Sequence, residues 1–161
     1  SLGLLPKTHA VVIAPHDISE KHLAEISQSL KSESIRYSDF NEQKDYNILI
    51  IDNIGLLSSI YRYADFAWIG GGFGHAIHNI QEAVAYGCPV MFGPNYHRFA
   101  EAVDLIKLGG AFEVNSTNKL NEMIRKFIHE PGFRMKASEV CRQYVGNQIG
   151  ATDKIMAVVF G

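Results

Sequence analysis

Short apolar runs alternate with helical patterns along this 161-residue chain, and this alternation constrains the fold more than any other feature. The run at 47–51 is apolar without interruption after Asn47, as expected for a strand that helices cover on both faces of its sheet. Five more runs predict strands at 9–14, 35–38, 66–69, 89–92 and 111–114. Helical patterns separate them at about 19–30, 54–64, 77–86 and 100–108. The chain is therefore predicted to be α/β, with a Rossmann-like doubly wound parallel sheet flanked by helices.

Three more helices are predicted after the last strand. Residues 115–117 provide a cap for the first of them, and the sequence Glu-Pro-Gly at 130–132 breaks it. The other two are predicted at 133–145 and 152–160. No linker or repeat divides the chain, so we expect one domain over residues 1–161.

The composition predicts a compact globular domain without a nucleic-acid partner. Hydrophobic residues make up 47% of the chain and charged residues 20%, which is enough apolar surface for a sizeable core. The formal net charge is −2, so the charge balance gives no reason to expect nucleic acid. The longest apolar runs are far short of the roughly 20 residues of a membrane-spanning helix, and the sequence shows no secretory signal. The domain is expected to be soluble and cytosolic.

Neither the cysteines nor the histidines predict a metal centre. Cys88 and Cys141 follow no metal-binding or redox spacing, and we interpret both as packing residues. His75 and His78 are three residues apart, but no set of carboxylates or thiolates completes a familiar zinc site around them. The sequence also lacks a nucleophile elbow and a plausible Ser-His-Asp order. We therefore expect no metal and no cofactor.

A glycine-rich loop follows the predicted strand at 66–69. Residues 70–74 are Gly-Gly-Gly-Phe-Gly, and a helix is predicted to begin shortly afterwards, at Ile77. Glycine lets a ligand approach the backbone closely, and a helix start presents N–H groups that favour an anion such as phosphate. The sequence has neither the Gly-Lys-Ser/Thr ending of a Walker A loop nor an acidic residue at dinucleotide-binding spacing. Ordinary tight turns are the alternative explanation of these glycines.

Glu82 is the acidic residue that most strongly suggests a ligand. In a helix over 77–86, His78 and Asn79 precede Glu82 by four and three residues, so the three polar side chains share one side. A carboxylate accepts hydrogen bonds from both hydroxyls of a vicinal diol, which makes a ribose a natural partner. A solvated surface glutamate is the alternative.

Polar residues follow several of the predicted strands at the point where each strand ends. The polar segments are His16-Asp17, Asp52-Asn53, the glycine loop and Gly93-Pro94-Asn95. Ligands of doubly wound sheets bind outside the carboxyl ends of the strands. The sequence therefore predicts that these segments line one cleft, with the end of the strand at 89–92 beside the glycine loop.

The motifs between residues 70 and 96 resemble those of a known enzyme family. The sequence Gly-Gly-Gly-Phe-Gly is followed by His-Asn-Ile-Gln-Glu-Ala and then by Gly-Cys-Pro-Val-Met-Phe-Gly-Pro-Asn-Tyr. This series resembles the donor-binding half of the 3-deoxy-D-manno-octulosonic acid (Kdo) transferases, which are GT-B glycosyltransferases with two Rossmann-like domains. The resemblance implies transfer of Kdo from CMP-Kdo to a lipid A precursor, with inversion and without a metal, at the cytoplasmic face of a Gram-negative inner membrane.

The resemblance also implies roles for individual residues. Gly71, Gly72 and Phe73 would belong to the loop near the donor phosphate. Asn79 would also serve the phosphate, and Glu82 would hold the ribose of CMP.

Two more parts of the chain match positions of the family. Gly93, Pro94 and Asn95 would shape the same cleft. The family often has a Pro-Arg-His element after the first strand of this domain, where this sequence has Ala14-Pro15-His16. The arginine is therefore absent, and His16 is the matching residue.

The family places its catalytic general base, a glutamate, and its membrane anchor in an N-terminal domain. This chain is expected to be the C-terminal donor domain without that part, so it would contain no catalytic residue and would be inactive alone. The predicted helix at 152–160 would pack against the N-terminal domain. Two alternatives stay open: the donor domain of another GT-B transferase or epimerase that uses a UDP-sugar, and a non-catalytic nucleotide-binding module.

Overall fold

The computed structural model of the chain describes residues 9–30, 34–41, 46–74 and 76–148. The chain forms two compact units, Ser1–Ile60 and Tyr61–Gly161. Each unit contains a three-stranded parallel sheet with helices, which confirms the predicted α/β class. The predicted helix at 152–160 lies outside the described residues.

The first unit is built around a central strand with an apolar sequence. Its elements are β1 (Val11–Ile13), α1 (Glu20–Ser29), β2 (Ser34–Arg36), β3 (Ile48–Ile50) and α2 (Leu57–Ile60). The strand order is β1-β3-β2, and both outer strands are parallel to β3. Ile48 and Ile50 are almost completely buried, and Leu23 of α1 packs on them. The unbroken apolar run thus forms the central strand, which has a strand on each side and a helix packed on it.

The predicted strand at 35–38 and the predicted helix at 54–64 are shorter than expected. The strand ends at Arg36, and a 3-10 helix follows at Tyr37–Asp39. Within this helix the Ser38 N–H donates a hydrogen bond to the Asp52 side chain, which directs the chain away from the strand. Gly55 has a φ of 94°, which is incompatible with a right-handed helix, so α2 begins only at Leu57. A separate 3-10 helix, Tyr61–Tyr63, starts the second unit.

The described residues of the second unit form three strands and four α-helices after that 3-10 helix. Its elements are β4 (Ala67–Ile69), α3 (Gln81–Ala85), β5 (Val90–Phe92), α4 (Ala100–Leu108), β6 (Ala111–Glu113), α5 (Thr117–His129) and α6 (Pro131–Gln148). The strand order is β4-β5-β6, with all pairs parallel. Ile69 is opposite Phe92, and Phe92 is opposite Glu113. The carboxyl ends of the three strands therefore lie at one edge of this sheet.

The two faces of β5 are buried in different clusters, as the alternation of side chains along a strand requires. Val90 and Phe92 lie in a cluster with residues of α3 and α4. Met91 lies in a second cluster with Met123 and Phe127 of α5. Helices thus cover both faces of the central strand, which explains why all three residues of β5 are buried.

The helix ends of the second unit follow local sequence signals. Gly109 ends α4 in the left-handed conformation, with a φ of 89°. The Ser116 side chain caps α5 by accepting a hydrogen bond from the Lys119 N–H at 3.2 Å. The predicted break at 130–132 is shorter than expected, because α6 already begins at Pro131. Proline is tolerated there because the N–H groups of a helix's first turn have no partner within the helix.

The predicted helix at 77–86 is wrong at its start, because α3 comprises only Gln81–Ala85. The His78 N–H donates a hydrogen bond to the Gly70 carbonyl at 3.0 Å, which holds this part of the chain on the preceding loop. The Asn79 Oδ1 atom accepts a hydrogen bond from the Gln81 N–H at 2.9 Å. This side-chain turn lets the helix begin at Gln81 and not earlier.

Both cysteines are free and buried, which confirms that they are packing residues. Burial raises the pKa of Cys88 to about 12 and the pKa of Cys141 to about 11. The two thiols are therefore protonated and unreactive at neutral pH.

Candidate functional site

The glycine loop, residues 70–74, follows β4, and the carbonyl groups of its four glycines accept hydrogen bonds. His78 N–H donates to the Gly70 carbonyl and Gly74 N–H donates to the Gly71 carbonyl, each at 3.0 Å. The Gly72 and Gly74 carbonyls also accept hydrogen bonds. Within the described ranges, no hydrogen bond uses the N–H of Gly72 or Phe73 as its donor. The loop can therefore present N–H groups to an anion.

Asn95 holds the glycine loop through two hydrogen bonds. Its backbone N–H donates to the Gly72 carbonyl at 3.0 Å, and its side-chain Nδ2 donates to the Gly74 carbonyl at 3.1 Å. These contacts confirm that the segment after β5 lies beside the glycine loop. In this structure Asn95 thus holds the glycine loop in place by bonding two of its carbonyl groups.

Three of the glycines are required by the packing of the protein itself. A Cβ atom on Gly72 would lie 2.8 Å from backbone atoms of Gly93, and one on Gly93 would lie 2.6 Å from the carbonyl carbon of Gly72. Gly71 has a φ of 97°, and a Cβ there would lie 2.2 Å from the Ala76 carbonyl oxygen. Tight packing therefore explains Gly71, Gly72 and Gly93 without any ligand.

Gly70 and Gly74 differ from these three glycines. Among the described residues, a Cβ atom on either glycine would meet no heavy atom within 4 Å beyond the glycine's own chain neighbours, and neither glycine has a positive φ. A side chain would fit at both positions as the protein stands. The room beside Gly70 and Gly74 is therefore open to a ligand.

Asn79 and Glu82 lie next to each other, as the sequence predicts. The Asn79 Nδ2 atom donates a hydrogen bond to the Glu82 Oε1 atom at 3.3 Å, and both residues are exposed. Glu82 belongs to α3, whereas His78 and Asn79 both precede the helix. The His78 ring lies against Gly71, where a Cβ atom would be 2.6 Å from His78 Cδ2. The contact between Asn79 and Glu82 is thus confirmed, but the helix that was predicted to align His78 with them is not formed.

Two contacts at the same sheet edge were not predicted from the sequence. The Tyr96 hydroxyl donates a hydrogen bond to the Glu113 Oε2 atom at 3.2 Å. The pKa of Tyr96 is raised mainly by burial, and the bond to Glu113 adds to this effect. The rings of Trp68 and Phe73 stack with their centroids 6.1 Å apart. Glu113 is the last residue of β6, so its position at a strand end was the available signal.

Two acidic residues of the first unit, Asp17 and Asp52, accept hydrogen bonds from serines. The backbone N–H and the hydroxyl of Ser19 donate to the Asp17 carboxylate at 2.8 and 3.1 Å, and these bonds lower the pKa of Asp17. The hydroxyl and N–H of Ser38 donate to Asp52, which lowers the pKa of Asp52. Both acids therefore have a structural explanation. His16 directly precedes Asp17 in the chain, and its side chain is exposed.

The part of the chain that the structure describes contains no group of three or more His, Cys, Asp or Glu residues that could hold a metal ion. Among the helices of the same residues, none is long and apolar enough to cross a bilayer.

Known proteins similar to this chain include several Kdo transferases, although no family model matches the sequence. The 3-deoxy-D-manno-octulosonic acid transferase of Bordetella pertussis is 30% identical over 112 residues, which cover 68% of this chain and 26% of the relative. The enzyme of the same name from Chlamydia trachomatis serovar D is 43% identical over 53 residues, which cover 32% of this chain and 12% of the relative. These relatives confirm the resemblance inferred from the sequence. The chain spans about a quarter or less of their length.

Solved structures share the fold. The C-terminal CMP-Kdo binding domain of WaaA from Acinetobacter baumannii matches with a TM-score of 0.76 and 19% identity, over 86% of this chain and 75% of that domain. WaaG, a glycosyltransferase involved in lipopolysaccharide biosynthesis, matches with a TM-score of 0.62 and 17% identity, over 99% of this chain and 41% of that protein. At these identities the matches establish the fold alone, which is the Rossmann-like α/β fold of one half of a GT-B protein.

Proposed function

We propose that this chain is the donor-binding part of a glycosyltransferase that transfers Kdo from CMP-Kdo to a lipid A precursor in lipopolysaccharide core biosynthesis. The observation that carries the proposal is the glycine loop, whose glycine carbonyl groups accept hydrogen bonds and which has room beside Gly70 and Gly74. The similarity to the Kdo transferases supports CMP-Kdo as the donor.

The donor phosphate binds at the glycine loop in this proposal. The N–H groups of Gly72 and Phe73 donate to phosphate oxygens, and the open space beside Gly74 receives the phosphate. The sequence also suggested the start of a helix at Ile77 as part of this site. Since α3 begins at Gln81 and has five residues, the loop alone carries the phosphate interaction.

The ribose of CMP binds at Glu82. Its exposed carboxylate accepts hydrogen bonds from the 2′ and 3′ hydroxyls, and each such charge-assisted bond contributes about 1.5–3 kcal/mol. Gly93, Pro94 and Asn95 complete the site by holding the loop. The nucleotide-binding role that the family resemblance gives His16 stays a prediction.

The proposed reaction divides its steps between two domains. The acceptor hydroxyl attacks the anomeric carbon of Kdo from the face opposite the phosphate, and a glutamate of the N-terminal domain takes the hydroxyl proton. The bond between the anomeric carbon and the phosphate oxygen breaks, and CMP leaves with the electron pair. The loop N–H groups stabilise the charge that grows on the leaving phosphate. No metal or cofactor is required.

The full-length enzyme is proposed to act at the cytoplasmic face of a bacterial inner membrane. The N-terminal domain supplies the membrane anchor and the binding site of the lipid A precursor in this proposal. This chain alone binds the donor and does not catalyse transfer. Its match to about a quarter of the length of the Bordetella relative supports this division of labour.

A nucleotide comparison tests the proposal. The thermal midpoint of the 161-residue chain is measured with CMP, UDP and dTDP, because a ligand at 100 times its dissociation constant stabilises a protein by about 2.7 kcal/mol. We expect CMP to give the largest increase. A larger increase with UDP or dTDP would favour another GT-B enzyme, and no increase with any nucleotide would contradict the proposal.

A further inference from the structure

Asn79 uses both ends of its side-chain amide within the protein. The Oδ1 atom accepts a hydrogen bond from the Gln81 N–H at 2.9 Å, and the Nδ2 atom donates to the Glu82 Oε1 atom at 3.3 Å. The first bond fixes which way the amide faces, because only the oxygen can accept from an N–H. The amide nitrogen is thereby directed at the carboxylate of Glu82.

These two bonds determine where the Glu82 carboxylate lies. The bond to Gln81 sets the residue at which α3 begins, and Glu82 is the second residue of that helix. A helix of five residues has little stability of its own, so its start depends on such a side-chain turn. The bond to Oε1 then restricts the rotation of a side chain that is otherwise exposed.

Direct binding of the donor phosphate by Asn79 is at odds with this geometry. An amide nitrogen that donated to a phosphate and to Glu82 together would hold two anions within a few ångströms of each other, which is unfavourable. The glycine loop has N–H donors of its own for the phosphate.

We propose that Asn79 is a positioning residue, which holds the Glu82 carboxylate in place for the vicinal diol of the ligand and does not contact the phosphate. This inference rests on the proposed function, since it assumes that a cytidine nucleotide binds at Glu82. It differs from the family resemblance, which places Asn79 on the phosphate side.

The test uses Asn79→Asp with two ligands. Aspartate keeps an oxygen that accepts from the Gln81 N–H, so the helix start is preserved, but it cannot donate to Glu82 and adds a like charge beside it. Binding of CMP and of 2′,3′-dideoxy-CMP is measured by calorimetry. We expect the variant to bind CMP about fivefold or more weakly than the parent, and to bind the dideoxy ligand as the parent does.

Gln81→Ala is the matched control. It lies on the same turn, and its side chain bonds Glu101 at 3.2 Å and not Asn79 or Glu82. This variant should bind CMP with the affinity of the parent. Circular dichroism and the thermal midpoint verify that both variants keep the fold.

Each alternative role gives a different result. If Asn79 only starts the helix, Asn79→Asp keeps the parent's affinity for CMP, and the inference is wrong. If Asn79 contacts the phosphate, the variant loses affinity for both ligands equally, and the inference is again wrong. A parent chain that binds no CMP would overturn the proposed function and this inference with it.

Discussion

Asp17 and Asp52 in the first unit differ from Glu82 in the second unit in how their carboxylates are bonded. In the first unit, Asp17 and Asp52 each accept two hydrogen bonds from a serine, and their pKa values are lowered for that reason. In the second unit, Glu82 accepts one hydrogen bond of 3.3 Å from Asn79 and is exposed. A place after a strand is therefore not enough to identify a binding residue. The hydrogen-bonding capacity that is left over is the better guide.

The glycines of the loop make the same distinction. Gly72 is filled on its Cβ side by the backbone of Gly93, whereas Gly74 has open space. The lack of a side chain at Gly72 is required by the fold, whereas at Gly74 it leaves open space. Substitutions can test the two kinds of residue separately.

The largest effect is expected for Gly72→Val. Its side chain would overlap the Gly93 backbone, which cannot move away as a flexible side chain could, so the free energy of unfolding should fall by about 3 kcal/mol. Denaturant unfolding measures this change. The control is Gly74→Ala, which should change the free energy of unfolding by less than about 0.5 kcal/mol. Equal stability of the two variants would contradict the assignment of these glycines.

Alkaline pH should destabilise the chain through Cys88 of the second unit. Burial raises the pKa of this thiol from 9.0 to about 12, so its contribution to stability is complete below pH 9.0 and is lost as the pH rises toward 12. By about pH 10.5 the loss through Cys88 should be about 2 kcal/mol, and Cys141, whose pKa is raised to about 11, adds to the total. Denaturant unfolding between pH 8 and pH 10.5 measures it. Cys88→Ala should reduce the slope with pH, and an unchanged slope would show that another group is responsible.

A smaller effect is expected for Asp52→Ala in the first unit. It removes the acceptor of the two Ser38 hydrogen bonds and should lower the free energy of unfolding by about 1 kcal/mol at pH 7. Since the pKa of Asp52 is lowered in the folded protein, its contribution is present above about pH 4 and is lost as the pH falls below that. The difference between variant and parent should therefore shrink in acid. A difference that is constant with pH would rule out the carboxylate as its source.

The sequence predicted the strands well, because each is a short apolar run with polar residues or glycines after it. It also predicted the caps at Ser116 and Gly109, which depend only on nearby residues. The start of α3 was not predictable in this way. It depends on two hydrogen bonds, from the His78 N–H to the Gly70 carbonyl and from the Gln81 N–H to the Asn79 side chain, which the 3.6-residue pattern does not contain.

The candidate site was predictable in part. Glycine spacing pointed to the loop, and the spacing of Asn79 and Glu82 pointed to their contact. Pattern alone did not separate Asp52 from Glu82, since the serine that holds Asp52 is 14 residues earlier in the chain. The sequence pattern also did not distinguish glycines at which a side chain would clash with the backbone from glycines beside open space.

The most direct test of the account is CMP affinity measured in parallel for the parent, Glu82→Gln and Asp52→Ala. Glutamine keeps the shape of Glu82 and one acceptor but removes the charge, so we expect affinity to fall about tenfold or more. Asp52→Ala should keep the parent's affinity. The parent should also prefer CMP over 2′,3′-dideoxy-CMP, and Glu82→Gln should lose most of that preference. An equal preference in the parent and Glu82→Gln, or a larger loss with Asp52→Ala, would contradict the account.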